Sequence, residues 1–299
     1  MRILRSLAIA FAMYSRIPMP RVAWNSENMR YAACFLPFVG VLIGGLEVLL
    51  FWGGALFGLS PLVRALFAAA LPILVTGGMH LDGFMDTKDA LNSYKPREEK
   101  LRILKDSRVG AFAVIRLALY LLIFLAAAAQ IAALPYGAAL PVRSASLSLP
   151  SALQYGAARA AGESAPAFGF LQKALGSPEG ILVCAAAGFV LSRILAAAFL
   201  TFAKKSKNEG FAYMFAEAAD RRAVGAGLIA ESALILVPMG ILSPLTAVLE
   251  LLLMGLYTLR FLKMADREFG GISGDLLGMA ITELELAALL AAAATAILM

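Results

Sequence analysis

Histidine occurs once and cysteine twice in this chain of 299 residues. A single histidine, His80, excludes a multi-histidine metal centre and a histidine-rich proton relay. Cys34 and Cys184 lie far apart, each inside an apolar run. They form neither a metal-ligand spacing nor a disulfide framework, and small core residues are the fitting role for them. Charge is scarce too. Only 15% of residues are Asp, Glu, Lys or Arg, where a soluble domain carries about 25%. No internal repeat is visible, and paired broken helices would mark an inverted-repeat transporter. What the chain has in excess is apolar: 61% hydrophobic residues and a mean hydropathy of +0.81. That excess is too large for a soluble core, so an integral membrane protein is expected. The net charge of +6 fits basic membrane loops rather than nucleic acid.

A helical span needs about 20 mostly apolar residues. Seven segments qualify: Tyr31–Phe57, Pro61–Gly78, Gly110–Leu134, Gly180–Ala203, Val224–Leu242, Pro244–Leu262 and Asp275–Leu298. The expected fold is an all-α polytopic membrane protein, with about seven transmembrane helices plus an N-terminal amphipathic helix. That helix covers the first residues, with Arg2 and Arg5 ahead of a short apolar stretch. It resembles a signal peptide, but Tyr14-Ser15-Arg16-Ile17-Pro18 stands where a cleavage site would be, so it is expected to stay and lie on the membrane. Basic residues crowd the segment before the first span and the loops between spans two and three, four and five, and six and seven. With the N-terminus in the cytoplasm, all of these are cytoplasmic. The remaining loop, 135–179, is rich in Ala, Ser, Gly and Pro and is expected outside as a variable insertion. The chain therefore forms one transmembrane domain over 1–299, in the cytoplasmic (inner) membrane.

The polar clusters then gather at one membrane face. The most informative is Gly77-Gly78-Met79-His80-Leu81-Asp82-Gly83-Phe84-Met85-Asp86-Thr87-Lys88-Asp89. Asp82, Asp86 and Asp89 stand at i, i+4 and i+7, one face of a helix with about 3.6 residues per turn. Acids in a first turn suit the helix dipole, but the dipole does not account for a third acid at i+7. A bound hard cation such as Mg²⁺ does, and Mg²⁺ at a membrane surface points to phosphate chemistry. A second cluster, Lys105-Asp106-Ser107-Arg108-Val109-Gly110, offers a point charge and a guanidinium fork, though basic residues also anchor a span. A third, Lys204-Lys205-Ser206-Lys207, suits phosphate or anionic lipid. The fourth, Gly270-Gly271-Ile272-Ser273-Gly274-Asp275, opens the last span with a glycine-rich loop that suits an anion or simply caps a helix. Of the charges within spans (Glu47, Arg193, Glu231, Glu250, Glu283, Glu285), Arg193 beside Ser192 is the best candidate to face the site. Glu47, Glu231 and Glu250 are expected near span ends or in pairs.

In order along the chain, these segments resemble the cobalamin synthase family, the adenosylcobinamide-GDP ribazoletransferases. Tyr14–Pro20, Phe35–Gly40, Thr76–Gly83, Asp86-Thr87, Asp89, Lys105–Gly110, Ser192-Arg193, Ala203–Ser206 and Gly270–Asp275 carry the resemblance. It implies a Mg²⁺-dependent transfer. Adenosylcobinamide-GDP loses GMP, and its cobinamide phosphoryl group passes to α-ribazole or its 5′-phosphate, giving adenosylcobalamin or its 5′-phosphate. On that footing Asp82, Asp86, Asp89 and Asp275 are the expected metal ligands. Lys105, Arg108 and Lys204 would offset charge on the leaving GMP, with Arg193, Lys205 and the Gly274 backbone as further phosphate contacts. Asp89, Asp106 or His80 would take the acceptor's proton. Corrinoid-GDP, ribazole and membrane lipids are the expected partners. A homo-oligomer or a complex with other nucleotide-loop enzymes is left open.

Two rival enzyme classes fit less well. A CDP-alcohol phosphotransferase carries its acids in one compact motif with an Ala-Arg pair, which Phe84-Met85-Asp86-Thr87 lacks. An intramembrane prenyltransferase carries two acid-rich motifs, and one is present. From a different class, a transporter would place polar groups near the bilayer midplane, whereas these acids cluster at one face. The loop charges make a direct prediction. Cysteines placed at Lys95 and Lys207 should label from the cytoplasm, and one at Ser146 from outside. Labelling of the first two from opposite sides would rule out a site built from converging loops.

Overall fold

The computed structural model of the protein describes residues 2–106, 108–136, 174–206 and 210–299. Their regular secondary structure is helical, apart from one isolated parallel bridge between Lys205 and Ile272. Helix α1 (Arg2–Tyr14) and the short α2 (Ser26–Met29) lead through a tight turn at Ala32–Phe35 into α3 (Leu36–Val48). A wider π-type turn, Leu49–Gly53, continues α3 into α4 (Gly54–Leu56). The chain then forms α5 (Pro61–Thr76), α6 (Met79–Asn92), α7 (Arg97–Ile103) and α8 (Ala111–Ala132). Beyond residue 173 come α9 (Pro178–Phe202), α10 (Phe211–Ala218), α11 (Arg221–Leu242), α12 (Pro244–Met264) and α13 (Gly274–Ile297). The expected outer loop, 135–179, falls mostly on residues 137–173, outside the described residues.

Among the described residues six helical stretches are long and apolar enough to cross a membrane: 32–56, α8, α9, α11, α12 with its extension to Phe269, and α13. The pair α5–α6 raises the count to seven if taken as one span. The second expected span is shorter than its apolar run suggested. Helix α5 has 16 residues, about 24 Å at about 1.5 Å per residue, which is less than the ~30 Å hydrocarbon core. It ends because Gly77 and Gly78 take φ of 71° and 81°, a left-handed pair that residues with a Cβ rarely adopt. The chain turns 96° there. Helix α6 carries Asp82, Asp86, Lys88 and Asp89 among its 14 residues, too many charges for a lipid-facing helix. We read it as lying outside the spans, against α8 and the head of α13.

The bundle has an axis. In α9 and α13, 78% of the apolar stretch is buried, against 28% in α8 and α12 and 17% in α11. Helices α9 and α13 therefore form the centre, and the others face lipid. Helix α3 reaches α9 through a small-xxx-small pair. A Cβ on Gly40 would stand 2.3 Å from the Phe189 carbonyl oxygen, and one on Gly44 would stand 2.4 Å from that of Ala186. Backbone therefore packs directly on backbone. The N-terminal helix is amphipathic as expected, and it is docked as well: Ile9, Ala10 and Tyr14 are buried, and the Ser6 hydroxyl donates to the Asn28 carbonyl at 2.6 Å.

Arg193 is a correction. It was expected to face the site, but it is fully buried on α9 and ion-paired with Glu285 of α13. Its Nη1 also donates to the Ser192 hydroxyl at 3.1 Å and the Phe189 carbonyl at 3.0 Å. Glu285 and the helix's own carbonyl hold the cation inside the bundle. Glu47 and Glu250 depart from expectation as well. Both are buried, and no hydrogen-bond partner among the described residues meets their carboxylate oxygens. Glu283, by contrast, pairs with Lys88 at 2.6 Å.

The α3–α9 contact predicts an asymmetry. Gly44→Leu should lower stability in detergent by about 3 kcal/mol or more, because overpacking against backbone has nowhere to relax. Gly45→Leu should leave stability within about 0.5 kcal/mol, since nothing among the described residues stands within 4 Å of its Cβ position. Thermal unfolding of the two purified variants makes the comparison, and equal losses would contradict the packing.

Candidate functional site

The site begins where α6 crosses the first turn of α13. A Cβ on Gly83 would meet the Asp275 carbonyl oxygen at 2.8 Å, and one on Gly278 would meet that of His80 at 2.9 Å. Glycine on each helix lets the two backbones touch. The crossing brings together residues from opposite ends of the sequence. Ser273 caps α13, its hydroxyl accepting from the Leu276 N–H at 3.3 Å. The loop before it is tied to the end of α9: the Ile272 N–H donates to the Lys204 carbonyl at 2.8 Å, and the Ser206 N–H to the Ile272 carbonyl at 3.0 Å. Helix α7 closes another side, where Lys100 pairs with Glu268 at 2.5 Å and the Arg97 guanidinium lies over Gly270.

These elements enclose a cavity of about 540 Å³. Asp82, Asp275, His80, Gly274 and Lys105 line it, as the sequence suggested. It has a second wall that the sequence reading missed: Met13 and Tyr14 of α1, Leu101 and Leu104 around α7, and Phe211, Ala212 and Tyr213 of α10. The available signal was the run Phe211-Ala212-Tyr213-Met214-Phe215, which has helical spacing of large apolar residues beside a charged loop.

The other candidates lie elsewhere. Asp86 and Asp89 are half-buried on the next turns of α6, outside the lining, and the Asp89 carboxylate packs on Gly110. Asp106 and Arg108 are exposed and joined to each other: Arg108 donates from Nε at 3.0 Å and from Nη2 at 2.7 Å. Those hydrogen bonds hold the Asp106 carboxyl down at about 2. Lys204 pairs with Asp266 at 2.8 Å on the surface. Lys205 caps α9, its Nζ donating to the Phe199 carbonyl at 3.1 Å and the Ala203 carbonyl at 2.7 Å. Burial, then the Arg221 cation, pushes its ammonium down to about 8.

The field at the site is negative. Burial pushes the Asp86 carboxyl up to about 6, and the charges of Asp82, Asp275 and Asp89 add to the shift. Asp86 is thus near enough to feel the other three acids. Among the described residues, however, no three His, Cys, Asp or Glu side chains form a group that could hold a metal ion. The carboxylates are hard oxygen donors without a closed cage. His80 is buried, and its Nε2 has no hydrogen-bond partner among the described residues. Burial, with Arg193 as the lesser cause, holds its imidazole neutral by pushing it down to about 3.

Comparison with known proteins decides the family. The chain matches the cobalamin-5-phosphate synthase family over residues 6–173 and 166–293. It belongs to that family. A relative in Lachnoclostridium phytofermentans, named adenosylcobinamide-GDP ribazoletransferase, is 33% identical over 97% of this chain and 94% of its own. Two others of the same name are similar over shorter stretches. The one in Halalkalibacterium halodurans is 45% identical over 38% of this chain and 43% of its own. The one in Clostridium perfringens is 39% identical over 40% and 47%. No solved structure matches. As a member of the cobalamin-5-phosphate synthase family, the protein is a transferase of cobalamin synthesis built as a multi-pass membrane bundle.

The raised Asp86 makes stability depend on pH. An acid whose folded value lies above its unfolded value favours the fold while protonated. That contribution is complete below about pH 4 and is lost as pH rises through about 6. In a chelating buffer the melting temperature should fall between pH 5 and pH 7, and Asp86→Asn should flatten the slope. An unchanged slope in that variant would remove Asp86 as the source.

Proposed function

We propose that this member of the cobalamin-5-phosphate synthase family joins adenosylcobinamide-GDP to α-ribazole or its 5′-phosphate, releasing GMP. The observation that carries this reading is one cavity lined by Asp82, Asp275, His80 and Lys105, which come from three separate segments of the resemblance. In the reaction a hydroxyl oxygen of the acceptor's ribose attacks the cobinamide-bound phosphorus. The bond from that phosphorus to the GMP oxygen breaks, and the acceptor's proton is taken up. Acids in this site suit that last step. His80, held neutral by burial, is too weak a base and instead offers Nε2 as a hydrogen-bond partner to the substrate. Asp82, which lines the cavity, is the acid placed within reach of that proton.

Mg²⁺ fits the donor set. It commonly takes one or two carboxylates and fills its shell with water and substrate phosphates, so it needs no protein cage. Asp82 and Asp275 would hold it at the cavity, with Asp86 behind them. A bound Mg²⁺ supplies charge stabilisation to the pyrophosphate and the leaving GMP. Lys105 and the N-terminal amides of α13, around Gly274, are placed to share that charge. The cavity would face the cytoplasm of the inner membrane, where the basic loops fall. The corrinoid would rest at the mouth, being too large for a cavity of this volume.

The test is turnover of adenosylcobinamide-GDP and ribazole by protein in liposomes. Asp82→Ala and Asp275→Asn should each lower turnover about 100-fold or more while the variants still fold. Chelation should stop the wild-type reaction, and Mg²⁺ should restore it. Full activity in either variant, or under chelation, would overturn the assignment.

A further inference from the structure

The cavity has two chemically different kinds of lining. One is charged: Asp82, Asp275 and Lys105, with Asp275 in the first turn of α13. The other is mostly apolar and includes Met13, Leu101, Leu104, Phe211 and Ala212, with the hydroxyls of Tyr14, Tyr213 and Ser206 as its few polar groups. A phosphate has no business against such a wall, and neither has a polar base such as guanine. Guanine carries donors and acceptors along two edges, and burying them unpaired is costly.

The wall is also held in place. Trp24 meets Phe211 edge to face at 5.8 Å and Phe215 at 6.0 Å. Phe215 in turn meets Tyr14 at 6.3 Å, and Tyr14 lies 6.2 Å from the His80 ring. This chain of rings runs from His80 of α6 to α10 and ties the two elements together. Phe211 is nevertheless 56% exposed. A large ring so clamped, lining a cavity and still uncovered, is a stacking surface without its partner.

We propose that the α1–α10 wall is the acceptor's base subsite, in which Phe211 and Tyr213 receive the flat, largely apolar benzimidazole of ribazole. The inference rests on the function proposed above. The base lies against the wall, which points its ribose at the Asp82–Asp275 side, where the phosphorus must be. The cavity volume of about 540 Å³ suits one nucleoside with its reacting phosphates, within the ~300–1,000 Å³ range of small-molecule sites. Phe211 and Tyr213 are thereby specificity-determining residues, selecting an apolar base over a purine.

The experiment uses the full chain in liposomes, with Phe211→Ala and Tyr213→Leu. Initial rates are measured against each substrate in turn, and binding of ribazole alone is measured by equilibrium dialysis. Stacking of this kind predicts a rise of about 10-fold in both KM and Kd for ribazole. KM for adenosylcobinamide-GDP should stay within about twofold, and the preference for ribazole over the corresponding adenine riboside should shrink. A rise confined to adenosylcobinamide-GDP would place its guanine at the wall and overturn the inference. Unchanged constants in folded, active variants would overturn it while leaving the proposed reaction standing. A wild-type protein that neither binds nor converts ribazole or its 5′-phosphate would overturn both.

Discussion

The crossing of α6 over the first turn of α13 is the contact on which the site depends. Gly83 rests on the Asp275 backbone and Gly278 on the His80 backbone. A side chain at either position would push the helices apart by about the width of a methyl group. The acids at 82 and 275 would then no longer line one cavity. The crossing in turn requires α6 to leave the direction of α5 abruptly, which the left-handed Gly77–Gly78 pair permits. Arg16 packs over Gly77, and its N–H donates to the Val75 carbonyl at 2.8 Å. The segment after α1 thus braces the same corner.

Around this crossing the basic residues mostly tie loops together. Lys88 pairs with Glu283, Lys100 with Glu268, and Lys204 with Asp266. Each joins an element of the first half of the site to one of the second, or α9 to the end of α12. Surface pairs like Lys204–Asp266 are worth little individually. Their value here is geometric, because they tie five separate segments together. The cost is that the cations are occupied while the acids face each other. The resulting negative field would repel a pyrophosphate arriving alone. Under the proposed function, that field favours a pyrophosphate that arrives with a divalent cation.

Much of this architecture could be read from the sequence. Apolar runs marked the spans, and loop charge marked the segments that gather around one cavity. Acid spacing at i, i+4 and i+7 placed Asp82, Asp86 and Asp89 on one helix. Less legible was the use of each cation. Lys205 looked like a phosphate ligand but caps α9, and Arg108 spends its fork on Asp106. Arg193 looked like a site residue because charge in a span implies function, yet Glu285 is there to meet it. A sequence lists charges without their partners, and partners decide what a charge is for.

What the sequence determined alone is therefore the solvent. Hydropathy put the chain in a bilayer because apolar side chains are expelled from water, and clustered carboxylates raised the expectation of a hard cation because a cation relieves their mutual repulsion. Only the tertiary structure decided which acids face a common space, that a buried guanidinium serves the bundle, and that α1 and α10 supply an aromatic wall. Those outcomes depend on close approach between segments far apart in the chain. Such approach is set by helix crossings and backbone contacts that no local pattern records.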